Sequence, residues 1–432
     1  MSNAYVIKYV DSLQVIDSRG DPTVEVVVET VGGGVGRAIA PAGASRGRYE
    51  ALELRDANSS RYKGRGVEKA VSNVVNFIAP AIQGLDSRRQ RGIDKIMIQI
   101  DGTQNKERLG ANAMIATSLA VAKAAADTSK VPLFQYLGGV RARTLPIPML
   151  NIINGGAHAG NKLAIQEFMI VPIGFDAFSE ALRAAVEIYK ELKNVLKERY
   201  GAQAINVGDE GGFAPPMRLV REAIESLLTA IKNCGYDYEA QIKISLDAAA
   251  SQFYIESKDV YRIDDKDLKR DELLEYWKAL VSEFPILSIE DPFQEGDFRA
   301  YAELRREVRD KVIIVGDDLT VTNTEMLKKA LSMNSVSGVI VKPNQIGTLS
   351  ETIDFIELAK LKGIVTIISH RSGESEDSSI SHIAVAVNGP FIKTGAPARG
   401  ERTAKYNELL RIEKYLASES IYAGKYTELP KG

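Results

Sequence analysis

The chain has 432 residues, of which 45% are hydrophobic and 26% charged, and its formal net charge is −2. This composition is typical of a globular protein of two or three domains, and the charge gives no reason to expect nucleic acid as a main partner. No apolar stretch is long enough to cross a membrane, and no secretory signal precedes the first strand, so we expect a cytoplasmic protein. A single cysteine, Cys234, excludes an internal disulfide.

The first third of the chain has strand patterns followed by helix patterns. Valines alternate in TVEVVVET, residues 23–30, and the glycines of VGGGVGR predict a hairpin rather than a phosphate loop, because no helix beginning Gly-Lys-Ser/Thr follows. Apolar residues then recur at helical spacing from Val67 to Ile78 and from Ile93 to Ile100, and GANAMIATSLAVAKAAA predicts another helix. We therefore predict an N-terminal α+β domain, a β-meander plus helices, over residues 1–138.

From residue 145 to 432, apolar runs alternate with amphipathic stretches, and six of the runs end in a titratable residue. The runs are IKISLD, ILSIED, VIIVGDD, GVIVK, VTIISH and FIK, and their ends are Asp247, Glu290, Asp317, Lys342, His370 and Lys393. The intervals between these ends are long enough for the crossovers that parallel strands require. A β/α barrel brings the C-terminal ends of its strands to one mouth, so this pattern favours a barrel over an open sheet.

The polar strand ends indicate a particular chemistry. Asp247, Glu290 and Asp317 would repel one another unless a hard cation such as Mg²⁺ neutralised them. The alternative is that each carboxylate pairs with an arginine at the rim. Lys342 and Lys393 are expected to face the same mouth, where burial and nearby cations would lower their pKa values and allow one of them to act as a general base. For a single lysine, the alternative is an ordinary strand end with its amine in water.

Several motifs resemble those of the enolase family. They are SIEDPF at 288–293, VGDDLTVTN at 315–323, NQIGT at 344–348, SHRSGE at 369–374 and IKTGAPARGER at 392–402. DSRGDPTVEV, GGAHAGNKLAIQEF and VGDEGGFAP extend the resemblance through the N-terminal half in the family's order. The resemblance implies dehydration of 2-phosphoglycerate to phosphoenolpyruvate in glycolysis and gluconeogenesis. It also implies an eight-stranded β/α barrel that begins strand-strand-helix-helix.

The resemblance implies roles for individual residues and two Mg²⁺ ions per site, one bound tightly and one arriving with the substrate. Lys342 is the implied base that removes the proton beside the carboxylate, and Glu210 is the acid that assists the departing hydroxide. The implied metal ligands are Asp247, Glu290 and Asp317, with Ser45 on a loop for the second ion. The implied substrate and supporting contacts are His158, Gln166, Glu167, His370, Arg371, Ser372 and Lys393.

The acid must keep its proton near neutral pH. Glu210 is flanked by Asp209 and is expected to face Glu167, and these like charges would raise its pKa. The alternative for Glu210 is an Asp-Glu turn before two glycines. His382 falls at a helical position and is expected to be packed or capping rather than catalytic. APAGASRG and GGAHAGN, which have few bulky residues, are expected to be loops that close over the substrate.

The resemblance also bears on assembly and on rival functions. Glu25 and Arg411 match positions that pair across a dimer interface, so we expect a homodimer or a higher homo-oligomer. Arg46 stands where the family commonly has threonine and adds charge to the lid loop. One rival function is another superfamily activity such as an acid-sugar dehydratase, which SHRSGE and the Glu210 segment argue against. The other is a binding protein at the cell surface or in an RNA-processing assembly, and a secondary surface or secreted pool is expected from the family.

Overall fold

The computed structural model describes residues 3–43, 47–309 and 311–425. Its N-terminal part begins with three strands, which are β1 (Ile7–Ile16), β2 (Pro22–Thr30) and β3 (Val35–Ile39). They form an antiparallel meander in chain order. Val24, Val26 and Val28 are fully buried, as their alternation predicts, and Gly33 has a φ of 81° in the turn between β2 and β3. The predicted hairpin is confirmed.

Five helices follow the meander. They are α1 (Glu68–Asn73), α2 (Ala79–Ile82), α3 (Gln90–Asp101), α4 (Ala111–Thr128) and α5 (Leu133–Gly138). A π-helical turn over Val74–Ile78 joins α1 to α2. Helix α4 packs against β2 and β3, and a Cβ atom at Gly36 would collide with the backbone of α4. Small residues on both sides therefore let this helix lie close to the meander.

The second part contains an eight-stranded closed barrel. The remaining strands are β4 (Thr144–Leu145), β5 (Ile147–Asn154), β6 (Glu167–Pro172), β7 (Ile242–Asp247), β8 (Tyr254–Ile255), β9 (Val260–Ile263), β10 (Lys266–Leu268), β11 (Ile286–Glu290), β12 (Ile313–Gly316), β13 (Gly338–Val341), β14 (Val365–Ser369), β15 (Phe391–Lys393) and β16 (Ile421–Tyr422). The barrel order is β5-β6-β7-β11-β12-β13-β14-β15, and β15 pairs back onto β5. All six strands predicted from the apolar runs are in this barrel.

One barrel strand runs against the others. Strand β6 is antiparallel to both of its neighbours, β5 and β7, whereas the other barrel pairs are parallel. As a result, Glu167 at the start of β6 lies opposite Asp247 at the end of β7. Helices α6 (Phe178–Tyr200) and α7 (Val220–Asn233) follow β6, so the strand-strand-helix-helix beginning implied by the resemblance is confirmed.

The later strands are joined by helices. These are α8 (Arg270–Glu283), α9 (Phe298–Glu307), α10 (Thr324–Ser332), α11 (Pro343–Ile346), α12 (Leu349–Leu361), α13 (Ser379–Ala386) and α14 (Gly400–Leu416). The crossover from β7 to β11 also carries a small antiparallel sheet of β8, β9 and β10. In the described part of the chain, none of the helices has the length and apolarity needed to cross a membrane. The division at residues 138 and 145 stays a prediction.

Candidate active site

The polar strand ends converge at one mouth of the barrel. In the register of neighbouring strands, Glu290 on β11 lies beside Asp247 on β7, and Lys393 on β15 lies beside Ser369 on β14. Behind this mouth lies a narrow cavity of about 20 Å³. The predicted site residues that line the cavity are His158, Gln166, Glu167, Glu210, Lys342, His370, Arg371, Ser372 and Lys393. Ser45, the predicted ligand of the second ion, and Arg46 lie outside the described residues.

Lys393 sits among three carboxylates. Its Nζ donates hydrogen bonds to Asp247 Oδ2 at 2.9 Å and to both carboxylate oxygens of Glu290 at 2.9 and 3.0 Å. It also lies 3.2 Å from Glu167 Oε1. Burial favours the neutral amine, but Asp247, Glu167 and Glu290 outweigh burial and raise the pKa of Lys393 well above its ordinary value. The predicted lowering of the Lys393 pKa is therefore wrong.

Lys342 is held in a similar way by one carboxylate. Its Nζ donates to Asp317 Oδ2, and Gln345 Nε2 donates to Asp317 Oδ1 at 3.0 Å. The Lys342 side chain is only 14% exposed, which excludes an ordinary surface lysine. Burial lowers its pKa, but the Asp317 charge outweighs this and raises it. The Asp317 carboxylate that the amine touches therefore opposes the expected lowering of the Lys342 pKa, and the sequence does not reveal this contact.

The three strand-end carboxylates offer the oxygen ligands that a hard cation takes, but among the described residues their oxygens do not form a group within 4.8 Å of one another. Asp247, Glu290 and Asp317 are all buried, and burial together with the Asp247 charge raises the pKa of Glu290 well above its ordinary value. Among the described residues, the cations hydrogen-bonded to these carboxylates are lysines, so the alternative of arginine pairing is not what the structure has. Buried carboxylate oxygens are the ligands that Mg²⁺ prefers, so this donor set would suit it.

A second acidic group stands beside the first. Carboxylate oxygens of Asp291, Asp317 and Asp318 lie within 4.8 Å of one another. Asp291 accepts hydrogen bonds from the backbone N–H groups of Asp317 and Asp318 at 3.0 and 2.8 Å and from the Tyr301 hydroxyl at 2.8 Å. Burial and the charge of Asp317 raise the pKa of Asp291 to about 7. Sequence reasoning missed Asp291, although it directly follows Glu290 in SIEDPF.

The opposite wall of the cavity carries Glu210 and Glu167 with two histidines. Glu210 Oε2 accepts a hydrogen bond from Asn151 Nδ2 at 3.0 Å. Glu210 Oε1 lies 3.5 Å from His370 Nε2 and 3.7 Å from His158 Nδ1. Glu167 Oε1 lies 3.9 Å from the same His158 nitrogen. Two carboxyls and two imidazoles therefore meet in a buried space, which is suited to holding and moving a proton.

Glu167 and Glu210 differ in proton affinity, and the higher affinity is at Glu167 rather than at the predicted acid Glu210. Burial and the charge of Glu210 raise the pKa of Glu167 well above its ordinary value. Burial also favours a protonated Glu210, but His370, His158 and Arg402 more than offset it and hold the Glu210 pKa well below its ordinary value. The predicted raised pKa at Glu210 is wrong for this arrangement. Of the two carboxyls, Glu167 therefore has the higher proton affinity, because Glu210 is the one that faces the basic groups.

A fully buried arginine organises this wall. Arg402 Nη1 lies 2.6 Å from His370 Nδ1 and donates to the Arg371 carbonyl at 2.6 Å. Its Nη2 donates to the carbonyls of Ser372 at 2.6 Å and Asp209 at 3.1 Å. Since a guanidinium only donates, His370 Nδ1 must accept, which assigns the ring hydrogen to Nε2 on the side of Glu210. Sequence reasoning missed Arg402, although it lies within IKTGAPARGER.

His370 is neutral near pH 7. Burial lowers its pKa to about 4 in spite of the Glu210 charge, and Arg402 adds to the lowering. His158 is also buried, and its pKa is lowered by that burial. His370 Nε2, His158 Nδ1 and Glu167 Oε2 have no hydrogen-bond partner among the described residues. Buried polar atoms are costly without partners, so this cavity fits a polar ligand.

The N-terminal part contributes to the site through Glu50. Arg371 Nη1 donates to Glu50 Oε2 at 3.0 Å and to Asn344 Oδ1 at 3.1 Å. Gln345 Nε2 lies 3.3 Å from Glu50 Oε1. Sequence reasoning missed Glu50, because nothing in the sequence shows that this segment reaches the predicted phosphate contact Arg371.

The structure also gives the contacts of Gln166 and His382, for which the sequence makes opposite predictions. Gln166 accepts from Gln252 Nε2 at 2.6 Å, and its own Nε2 lies 3.4 Å from Asp247 Oδ2. His382 lies on α13, outside the cavity, where its ring stacks on Phe134 with centroids 6.3 Å apart and its Nε2 lies 3.2 Å from Glu408. The prediction that His382 is a packed histidine is confirmed.

Comparison with known proteins covers the whole chain. Residues 7–137 match the family model described as "Enolase, N-terminal domain", and residues 142–430 match "Enolase, C-terminal TIM barrel domain". A protein named "Enolase" from Methanocaldococcus jannaschii is 54% identical over 430 residues, which is 100% of both chains. One from Aeropyrum pernix is 52% identical over 98% of this chain and 97% of its own, and one from Pyrococcus furiosus is 52% identical over 98% of each. The chain belongs to the enolase family.

Proposed function

We propose that this chain is a hydro-lyase that reversibly dehydrates 2-phosphoglycerate to phosphoenolpyruvate, a step of glycolysis and gluconeogenesis. The observation that carries the proposal is that Lys342 and Glu210 line one buried cavity beside the carboxylates Asp247, Glu290 and Asp317. A base, an acid and a cation-binding group are what this reaction requires. The full-length relatives named "Enolase" support the same reaction.

We infer that Asp247, Glu290 and Asp317 would hold one Mg²⁺, with a second ion arriving with the substrate at Ser45. Bound there, Mg²⁺ would stabilise the negative charge that develops on the substrate carboxylate when the neighbouring proton leaves. Lys393, which already bonds two of the three carboxylates, would contribute a further positive charge to the substrate carboxylate.

Lys342 would remove the proton beside the substrate carboxylate. Its raised pKa depends on Asp317, which its amine contacts directly. If Asp317 were neutralised by a cation, burial would remain as the larger influence and would lower the pKa of Lys342. A neutral amine at Lys342 is the state that a general base requires.

Glu210 would donate the proton that accompanies departure of the hydroxide. The phosphate and carboxylate of the substrate would bring negative charge into the cavity and raise the proton affinity of both carboxyls. Glu167 has the higher proton affinity of the two carboxyls, and His158 lies 3.7 Å from Glu210 and 3.9 Å from Glu167. Glu167 and His158 would therefore keep Glu210 supplied with a proton.

Arg371 and Ser372 would bind the substrate phosphate. Arg371 already bonds Glu50 and Asn344, so it is fixed before a ligand arrives. A planar guanidinium suits a phosphate group better than a single ammonium does. Gln166 and His370 would support the site from its edges, through Asp247 and Glu210 respectively.

The assay is the appearance of phosphoenolpyruvate from 2-phosphoglycerate, followed by ultraviolet absorbance with Mg²⁺ present. We expect turnover by the wild-type chain and loss of turnover in Lys342→Ala. Dehydration of an acid sugar but not of 2-phosphoglycerate would favour the other superfamily activity. Absence of any turnover in a folded, Mg²⁺-saturated protein would favour the binding-protein alternative.

We further propose a cytoplasmic homodimer or larger oligomer. Glu25 lies 3.6 Å from Arg37, and Arg411 donates to Glu408 at 2.8 Å within the chain. Arg411 is 67% exposed at its side chain, so it could also reach a second copy. Sedimentation of the wild-type chain and of Arg411→Ala tests this, and a wild-type monomer at micromolar concentration would contradict it.

A further inference from the structure

The arginine proposed to bind the substrate phosphate already carries a carboxylate from the N-terminal part of the chain. Arg371 Nη1 donates to Glu50 Oε2 at 3.0 Å, and Arg371 Nη2 donates to Glu50 Oε1 at 3.2 Å. Two parallel bonds of this kind are also the arrangement in which a guanidinium binds a phosphate group. Glu50 therefore lies on the edge of Arg371 that a phosphate would use.

This ion pair is nearly closed to solvent. The side chains of Arg371 and Glu50 are 4% and 7% exposed. Burial lowers the pKa of Arg371, but the charge and hydrogen bonds of Glu50 outweigh burial and raise it. The charges of Asp317 and Glu53 add to the rise. Charges interact more strongly in such surroundings than at a surface, so Glu50 keeps the guanidinium charged before a ligand arrives.

Glu50 also adds negative charge to the active-site cavity, which it lines together with Asp318. Burial and two neighbouring aspartates raise the pKa of Asp318 well above its ordinary value, and the charge of Glu50 adds to this rise. Lys342 and Lys393 line the same cavity, but each already bonds carboxylates of its own. A phosphate on Arg371 would therefore lie beside the Glu50 carboxylate, and like charges so close repel one another.

Glu50 has other donors that can hold it when Arg371 is taken by a ligand. The Gly47 N–H donates to Glu50 Oε1 at 3.0 Å, and Gln345 Nε2 lies 3.3 Å from the same oxygen. The Ala51 N–H donates to the Gln345 carbonyl at 2.8 Å, which fixes this segment against α11. A buried carboxylate needs hydrogen-bond partners, and these two donors supply them. A phosphate can thus take Arg371 without leaving Glu50 unpaired.

We propose that Glu50 is a positioning residue that occupies Arg371 in the empty site and gives it up to the substrate phosphate. Glu50 keeps the guanidinium charged and oriented, and its exchange for the phosphate sets the affinity for the substrate. This role of Glu50 rests on the proposed function, in which Arg371 binds the phosphate.

A carboxylate that only orients Arg371 would have the opposite effect on binding. If Glu50 stayed on Arg371 while the phosphate used another side of the guanidinium, removal of the Glu50 charge would loosen the arginine and weaken phosphate binding. If the phosphate displaces Glu50, removal of that charge removes a competitor and strengthens binding. The sign of the change in affinity therefore separates the two roles.

The test is isothermal titration calorimetry of the full-length chain with inorganic phosphate, at low ionic strength and without Mg²⁺. We expect Glu50→Gln to bind phosphate about tenfold more tightly than the wild type, because the competing charge is gone. In steady-state kinetics the KM for 2-phosphoglycerate should fall, while kcat should not rise. Circular dichroism checks that the variant is folded.

Three further variants serve as controls. Glu295 Oε2 accepts from the Arg48 N–H at 3.0 Å in the same segment, so Glu295→Gln is the matched control. It should change phosphate affinity less than about twofold. In an Arg371→Gln background, Glu50→Gln should have no effect on phosphate affinity. Glu50→Asp, which keeps the charge on a shorter stem, serves if Glu50→Gln does not fold, and it should tighten phosphate binding by a smaller factor.

Three results would overturn this role of Glu50. They are weaker phosphate binding or a higher KM in Glu50→Gln, an affinity equal to that of the wild type, and a tightening that persists without Arg371. The last result would mean that the phosphate binds elsewhere. The titration needs no turnover, so a folded chain that shows the expected titration but does not dehydrate 2-phosphoglycerate would refute the proposed function and support this role of Glu50.

Discussion

Replacing Asp377 with asparagine should destabilise the protein substantially at pH 7. Asp377 Oδ2 accepts from Lys123 Nζ at 2.7 Å and from the Ile39 N–H at 3.2 Å, so it ties the N-terminal part to the barrel part. Its Oδ1 accepts from the Ser379 N–H and hydroxyl at 2.8 and 2.5 Å. The asparagine variant removes the charge that Lys123 needs and one acceptor oxygen.

The magnitude follows from the pKa of Asp377. Burial raises it, but Lys123 and Ser379 outweigh burial and lower it from 3.8 to about 2. A lowering of nearly two pKa units corresponds to about 2.5 kcal/mol in the free energy of unfolding. Because the folded pKa is the lower one, this contribution is complete above the unfolded value near 4 and is lost as pH falls towards 2. About half of it should remain at pH 3.

The assay is urea unfolding at pH 7, pH 5 and pH 3, followed by fluorescence of the single tryptophan, Trp277, and by circular dichroism. The two transitions must coincide for one free energy to be defined. Asp354→Asn is the matched control, since Asp354 also joins the two parts, through Arg91 at 2.6 Å, but both side chains are about half exposed. An exposed pair contributes about 0–1 kcal/mol. Equal losses in the two variants, or an Asp377→Asn loss that is the same at pH 3 as at pH 7, would refute the reasoning.

Three further predictions concern the site. Removal of divalent cations by a chelator should abolish turnover, and added Mg²⁺ should restore it. Full turnover after chelation would rule out the proposed role of Asp247, Glu290 and Asp317 as Mg²⁺ ligands. Asp317→Ala should lose far more activity than Asp318→Ala, because Asp317 is the carboxylate that Lys342 contacts. Equal losses of activity in steady-state kinetics would mean that the residue at the end of β12 is assigned out of register. Arg402→Met should lower kcat about tenfold or more and change the His370 tautomer, which ¹⁵N NMR measures. Arg402→Lys should recover part of both. An unchanged spectrum in Arg402→Met would show that Arg402 does not orient the His370 ring.

The apolar runs of the sequence predict six of the eight barrel strands, but not β5 and not the reversed strand β6. Each predicted strand is an apolar run that ends in a titratable residue, and both features are local. The reversal of β6 is not local, because EFMIVP is as uniformly apolar as the parallel strands and its direction depends on pairing with β5 and β7. The small sheet of β8 to β10 was missed for a related reason, since its strands are short and partly exposed.

Motifs predict nine of the described residues that line the cavity, whereas the charge states of these residues depend on contacts. The sequence predicts lowered pKa values for Lys342 and Lys393, but each amine lies against carboxylates that raise its pKa. The sequence predicts a raised pKa at Glu210, but Arg402 and the histidines face this carboxyl, and the proton affinity is higher at Glu167. A motif names the residues at a site, but only the fold determines which side chains meet.

The division of the two proton transfers between Lys342 and Glu210 can be tested by hydrogen exchange at C2 of 2-phosphoglycerate in deuterated water. Glu210→Gln should stop dehydration but keep this exchange, because Lys342 and the carboxylate group remain in place. Lys342→Ala should stop both. NMR of the recovered substrate measures the exchange directly. Exchange that persists in Lys342→Ala and disappears in Glu210→Gln, with both variants folded and Mg²⁺-bound, would contradict the assignment of base and acid.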